Sequence, residues 1–371
     1  MDPVQLLRDL SQASGLSGYE QQVCDVARQA FEPYADALRT DALGNLIALR
    51  KGTPAPGTPA PGTCAPGTCA PGARSQGAPL RSIMLAAHTD EIGLMVTGYD
   101  GAFLRVTRVG GVDVRTLLGQ EVLVHGARPL VGIIGSRPPH VLPPSEWDKP
   151  VPLDKIHVDV GLPAEKVREV VRVGDLVTLR REFLELAEGY VSGKSLDDRA
   201  GVVSLAVCLE VLSAMRHSWD VYAVATSQEE VGLRGALVSA YGIAPDIAIA
   251  VDVGFGAQQG VSENESVNMD GGPAVARGPN IHPLMFERLT DTARKVELPY
   301  QVEVAAGATG TDAWAIQVAR QGIPTALLSI PLRYMHTSVE TACMKDIVRT
   351  GRLMAQFIAG LDEAFAAELG L

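Results

Sequence analysis

Three short apolar runs, residues 83–87, 221–225 and 247–251, constrain this chain more than anything else in it. Each has the length of a strand, and each leads into a side chain that can hold a metal or a proton. His88 follows the first run directly, and Asp252 follows the third. The second reaches the pair Glu229 and Glu230 through Thr226, Ser227 and Gln228. Apolar runs of this length between turn signals suit fully buried strands in an open α/β sheet. In such sheets, ligands and catalytic groups gather at the carboxyl ends of the strands. The expectation is an α/β fold with a working rim.

Of the three, the stretch TSQEEVGLRG carries the most tension. Adjacent carboxylates at the end of a core strand repel each other unless a cation holds them. A metal site with a general base beside it explains the pair, and a solvated charge pair explains it too. The glycine-bearing continuation is expected to open a helix there, whose amino-terminal dipole would favour negative charge.

Composition removes several classes. With 371 residues there is room for two domains. A formal charge of −11 without a basic stripe argues against nucleic-acid binding. The longest apolar stretches are strand-sized, and MDPVQLLRDL begins an amphipathic helix rather than a signal peptide. The expectation is therefore a cytoplasmic protein with no membrane span. Five cysteines without framework spacing speak against a disulfide scaffold.

The chain then divides. Residues 38–50 read as two short strands around a Gly-Asn turn. Residues 52–71 repeat the pentads GTPAP, GTPAP, GTCAP and GTCAP. They are too rich in Pro and Gly for a core, so 52–79 reads as a mobile surface insertion between two adjacent strands. Cys64 and Cys69 fall inside it. From about 92 to 188 the texture is short Val-rich strands with glycine turns and one helix, AEKVREVV. This suggests a small PDZ-like β-barrel inserted into an α/β domain formed by 1–91 and 189–371. His125, His140 and His157 lie in that module and read as structural or surface residues. Further on come a helix from about Arg199 to Met215, a long polar loop at 254–278 and a strand at 301–305. A helix near Asp312, a strand at 325–330 and a last helix from about Thr341 to Asp362 complete the chain.

Five possible ligands stand at element ends: His88, Asp197, Glu230, Asp252 and His336. Asp198, next to Asp197, suits a helix cap. Nitrogen and oxygen donors in this mixture suit two divalent ions such as zinc, cobalt or manganese. Ions in such a pair can activate water and stabilise a tetrahedral intermediate. Asp90, two residues beyond His88, can orient its imidazole. Glu229 is the spare carboxylate, free to take a proton from water and pass it to a leaving amine.

The stretches AAHTDEIG, VSGKSLDDRAG, TSQEEVGLRGA, AVDVG, GTDAWAI and RYMHTSVE together resemble one family. It is the cytosolic, self-compartmentalising metalloaminopeptidases that build tetrahedral dodecamers, with glutamyl and leucyl aminopeptidases among them and some members labelled endoglucanases. Only the 52–79 insertion is unmatched, and Thr337-Ser338 stands where the last motif usually has Ser-Pro. The resemblance implies a mixed-sheet α/β/α zinc-peptidase domain with a PDZ-like dimerisation barrel, and peptide substrates trimmed at their amino ends. It further implies His88 and Glu230 on one metal, Asp252 and His336 on the other, Asp197 bridging, Asp90 orienting His88, and Glu229 as general base and acid. Small residues at 305, 306 and 308 favour a neutral aliphatic first residue such as leucine. The alternatives are a glutamyl or aspartyl aminopeptidase of the same mechanism, and a deacylase or carboxypeptidase, which would need a cationic anchor for a carboxylate.

Overall fold

A computed structural model describes residues 1–53, 80–147 and 149–371. The pentad repeat from Pro54 onward, with Cys64 and Cys69, lies outside the described residues, and so does the mobility expected for it. The chain opens with α1 (Pro3–Gln12), α2 (Gln21–Phe31), β1 (Ala37–Thr40), β2 (Leu46–Arg50) and β3 (Ser82–His88). Six strands then close a barrel: β4 (Gly93–Asp100), β5 (Phe103–Val109), β6 (Glu121–His125), β7 (Pro129–Gly135), β8 (His157–Asp159) and β9 (Leu176–Arg180). α3 (Ala164–Val170) lies between β8 and β9 in sequence and packs Val167 into the barrel core.

The chain returns through β10 (Leu184–Glu185) and β11 (Tyr190–Gly193) to α4 (Leu196–Ser213), β12 (Asp220–Thr226), α5 (Arg234–Ile243) and β13 (Ile247–Phe255). It continues through β14 (Ala274–Arg277), α6 (Pro283–Lys295), β15 (Gln301–Val304), α7 (Asp312–Gln317) and β16 (Thr325–Arg333). β17 (Glu340–Cys343), α8 (Met344–Ala359) and α9 (Glu363–Glu368) end it.

The large sheet runs in the order β1-β2-β12-β3-β13-β16-β17-β11-β10, with β14 and β15 joined at β16. Its centre, β12-β3-β13-β16, is parallel, as the continuous apolar runs require. One face packs Leu85, Val251 and Leu328 against α4 and α8, and the other packs Met84, Ala250 and Leu327 against Ala236 of α5 and Ala313 of α7. α4 is buried along most of its length, because the sheet covers one side and α1 and α8 the other. That arrangement matches the α/β/α catalytic domain and inserted barrel expected from the sequence. Among the described residues, no helix is long and apolar enough to cross a membrane.

Two local expectations are corrected. β2 and β3, which flank the pentad insertion, are not neighbours, because β12 pairs with both. The helix expected from about Thr341 to Asp362 as the last one begins at Met344 and ends at Ala359, with α9 after it, since Glu340–Cys343 pair with β11 and β16 as a strand. Within the barrel, His125 Nε2 lies 2.9 Å from Thr178 Oγ1 and His157 faces Asp100, so both serve the module's own packing.

Candidate metal centre

The parallel register delivers the rim. β3 and β12 end side by side at His88 and Thr226. Two residues beyond the last β3–β13 pair, Ala86 with Ala250, come His88 and Asp252. At the start of α4, Asp197 and Asp198 have non-helical backbone angles and divide their roles. Asp198 caps the helix: its Oδ1 accepts the Gly201 N–H at 3.0 Å and its Oδ2 the His88 N–H at 3.3 Å. Asp197 turns inward and offers one oxygen to each histidine. Oδ1 is 3.1 Å from His88 Nε2, and Oδ2 is 3.3 Å from His336 Nε2.

The remaining acids complete the cluster. Glu230 Oε1 lies 3.3 Å from His336 Nε2, while Asp252 Oδ1 and Glu229 Oε2 stand 4.0 and 3.9 Å from His88 Nε2. His88, Asp197 and Glu230 each offer a ligand atom within 4.8 Å of the other two. All six residues singled out at strand and helix ends therefore meet, with Asp197 central. The imidazole contacts set His336 with Glu230 and His88 with Asp252, while the triad His88, Asp197 and Glu230 keeps the partners that the resemblance implies.

Both imidazoles are set in the same way. His88 Nδ1 is 3.2 Å from the Asp90 carbonyl oxygen, and His336 Nδ1 is 3.2 Å from that of Gly111. A carbonyl only accepts, so each Nδ1 carries the hydrogen, and Nε2 presents a lone pair to carboxylates unless a cation intervenes. Protons fill that role in the metal-free cluster. Bonds to Asp197 and Glu230 push His336 up to about 11. At His88, burial works downward but is outweighed by the charge of Glu229 and by bonds to Asp197 and Asp90. Burial, reinforced by Asp252, Asp312 and Glu230, raises Glu229 to about 10, and burial also lifts Asp252 and Glu230. Burial would raise Asp197 too, but its bonds to His336 and His88 hold it below the usual carboxylate range. A buried set of two nitrogen and several oxygen donors that must otherwise hoard protons fits divalent cations well.

The Asp90 carboxylate, expected to orient the His88 ring, stands 3.6 Å from Nδ1 and is engaged elsewhere. Its Oδ1 accepts the Glu229 N–H at 2.9 Å, and its Oδ2 accepts the Glu230 N–H at 3.1 Å and the Ser17 hydroxyl at 2.6 Å. The expected helix does not open at the glutamates: residues 229–233 form a turn, and α5 starts at Arg234. Asp90, rather than a helix dipole, fixes their backbone.

Sequence reasoning missed three supports. Glu340 is 2% exposed, and its two oxygens accept the N–H groups of Asp197 at 3.1 Å and His336 at 2.9 Å. Gly111 comes from the barrel, and a Cβ there would sit 2.6 Å from His336 Nδ1, so only glycine lets its carbonyl come so close. Asp312, in GTDAWAI, accepts the Thr226 hydroxyl at 2.6 Å, and burial raises it to about 6. Glu340 and Asp312 lie inside quoted motifs, so acidity beside a ligand was the available signal.

A family model described as M42 glutamyl aminopeptidase matches residues 72–353. The lysyl aminopeptidase of Pyrococcus furiosus is 34% identical over 357 residues, 94% of each chain. Among solved structures, an aminopeptidase from the archaeon Desulfurococcus kamchatkensis superposes with a TM-score of 0.86 at 36% identity, covering 99% of this chain and 97% of that one. The TET1 peptidase of Pyrococcus horikoshii, which can assemble into a tetrahedron or a large octahedral shell, gives a TM-score of 0.79 at 29% identity. It covers 97% of this chain and 100% of that one.

Proposed function

Because this chain belongs to the M42 glutamyl aminopeptidase family and is a metal-dependent aminopeptidase, we propose that it removes single residues from the amino ends of peptides with two divalent ions. The observation that carries the reading is the aim of both Nε2 lone pairs at the two oxygens of Asp197, with Glu229 left beside them. His88 and Asp252 would hold one ion, Glu230 and His336 the other, and Asp197 would bridge them. The nitrogen and oxygen donor set supports zinc or cobalt, with manganese admissible. When bound, such ions supply Lewis acidity and a water that is easily deprotonated. Glu229, whose buried carboxylate is engaged by no backbone donor among the described residues, takes the proton of the attacking water and returns it to the departing amine. Asp90 keeps Glu229 and Glu230 in place through their N–H groups, and Glu340 does the same for Asp197 and His336.

The neutral aliphatic preference expected from the sequence has less support than a charged first residue. The matched family is described by its glutamyl enzyme, which supports the glutamyl or aspartyl alternative, and the relative from Pyrococcus furiosus is named for lysine. Assembly through the barrel, residues 92–188, into dimers and a tetrahedral dodecamer is supported by the tetrahedron of the Pyrococcus horikoshii relative. A cytoplasmic location is supported by the three described cysteines, Cys24, Cys208 and Cys343, all buried free thiols.

Hydrolysis of leucyl, glutamyl, lysyl and N-acetyl-leucyl p-nitroanilides, before and after chelation and metal return, tests the activity. Cleavage that survives chelation, or equal cleavage of the acetylated substrate, contradicts it. Glu229→Gln should abolish turnover at unchanged metal content, and loss of metal would show that Glu229 is a ligand instead.

A further inference from the structure

One carboxylate near the rim is used by nothing described above. Glu303 lies on β15, where Val302 and Val304 face solvent at 47% and 76% exposure while Glu303 turns inward. Laterally paired residues share a face of a sheet. Asp252 pairs with Ser329, Ser329 with Ala274, and Glu303 with Ala276, two residues further along the same strand. Glu303 therefore shares a face with Asp252. It reaches back toward that strand, since a Cβ on Gly254 would stand 3.4 Å from Glu303 Oε1 and 3.0 Å from Ser329 Cβ. The missing side chain at Gly254 is what lets Ser329 and the Glu303 carboxylate close up against that strand. Gly254 is two residues beyond Asp252, about 7 Å along the strand.

The chemistry of Glu303 is incomplete. Its Oε2 accepts the Ser329 hydroxyl at 2.5 Å, and among the described residues it makes no ion pair. The nearby Arg277 guanidinium is committed to the Phe286 ring, 5.2 Å away. Burial pushes the Glu303 carboxyl above its ordinary range, with the Ser329 bond opposing. A half-buried carboxylate without a cation lacks the partner that would stabilise it.

We propose that Glu303 receives the side chain of the first substrate residue and selects a cationic one, lysine or arginine. The inference rests on the aminopeptidase reading and decides the sign of the charged first residue. With the scissile amide held at His88, Asp197 and Asp252, the first Cα lies at the rim, and an extended lysine carries its ammonium about 6 Å further. That reach matches the step from Asp252 to Gly254. A glutamate side chain would meet Glu303 with like charge, and an aliphatic one would leave the carboxylate desolvated and unpaired.

Lysyl, norleucyl and glutamyl p-nitroanilides, compared on the metal-loaded protein, test this without a variant. Norleucine keeps the length of lysine and removes its charge. Lysyl substrate should be preferred by roughly 30-fold in kcat/KM, the effect of one desolvated charge pair. Glu303→Gln retains an oxygen for the Ser329 hydroxyl and should lower lysyl turnover by a similar factor while changing norleucyl turnover less than about twofold. Equal or better use of norleucyl or glutamyl substrate by the unaltered protein overturns the proposal. So does a uniform loss on all three in the variant, which would make Glu303 a structural brace of β15. Chelator-insensitive activity would instead strike the aminopeptidase reading, and the selection would fall with it.

Discussion

Replacing Glu340 with Gln separates support of the metal ligands from the ligands themselves. Its two oxygens accept the N–H groups of Asp197 and His336, so one buried side chain sets the backbone of both residues. Gln keeps one accepting oxygen and turns an NH₂ group toward the other donor. Each hydrogen bond to a charged group is worth ~1.5–3 kcal/mol, so the substitution should cost about 2 kcal/mol in the state where Glu340 is ionised. That state is favoured when bound cations neutralise Asp197, because burial and the Asp197 charge together hold Glu340 up to about 8 in the metal-free protein. The loss should therefore appear in metal affinity, as a roughly 30-fold rise in Kd measured by competition with a chromophoric chelator. Metal-free stability should respond the other way. A carboxyl raised from 4.5 to about 8 contributes stability that is full below about pH 4.5 and lost as pH rises through 8. Gln carries no such proton. Metal-free Glu340→Gln should thus gain on the unaltered protein in thermal scans between pH 5 and 9. Unchanged metal affinity, or a metal-free variant already unfolded at pH 6, would refute the reasoning.

Metal uptake should release protons, because His336 keeps its own up to about 11 when no cation is present. Apparent affinity should tighten with rising pH by about tenfold per unit for each proton displaced. Calorimetry in buffers of different ionisation enthalpy reads the protons directly, and a pH-independent affinity would exclude this linkage. Gly111→Ala would place a methyl 2.6 Å from His336 Nδ1 and force the imidazole away from the barrel carbonyl. Metal affinity should fall about 10- to 100-fold with the barrel's circular dichroism unchanged, whereas full retention of metal would show that the carbonyl does not set this ring.

Much of the site was readable because its members punctuate apolar runs. His88 and Asp252 end buried parallel strands, and a residue there has few places to point except the rim. Asp197 and Asp198 were legible as a pair in which one caps and one faces inward, since a helix start uses only one carboxylate that way. What stayed hidden depends on contacts distant in sequence. No local pattern shows that Glu340 will accept from Asp197, or that Gly111 will come from a separate module to His336. The placement of 341–343 in a helix failed for the same reason: β11 supplies the pairing partner, and local propensity yielded to it. The pairing of histidines with carboxylates also followed from tertiary geometry, which brings His336 to Glu230 from the far end of the chain.

The order of synthesis gives the late position of Glu340 a further meaning. His88 leaves the ribosome before any of the barrel, while His336 and Glu340 emerge just before and with β17, after every other strand of the large sheet has been made. A nascent chain halted at the end of β16 holds His88, Asp197, Glu230 and Asp252 but lacks the second imidazole and the carboxylate that braces it. Such a chain cannot assemble the cluster. The metal-dependent site is therefore complete only once the last strand of the large sheet has been made.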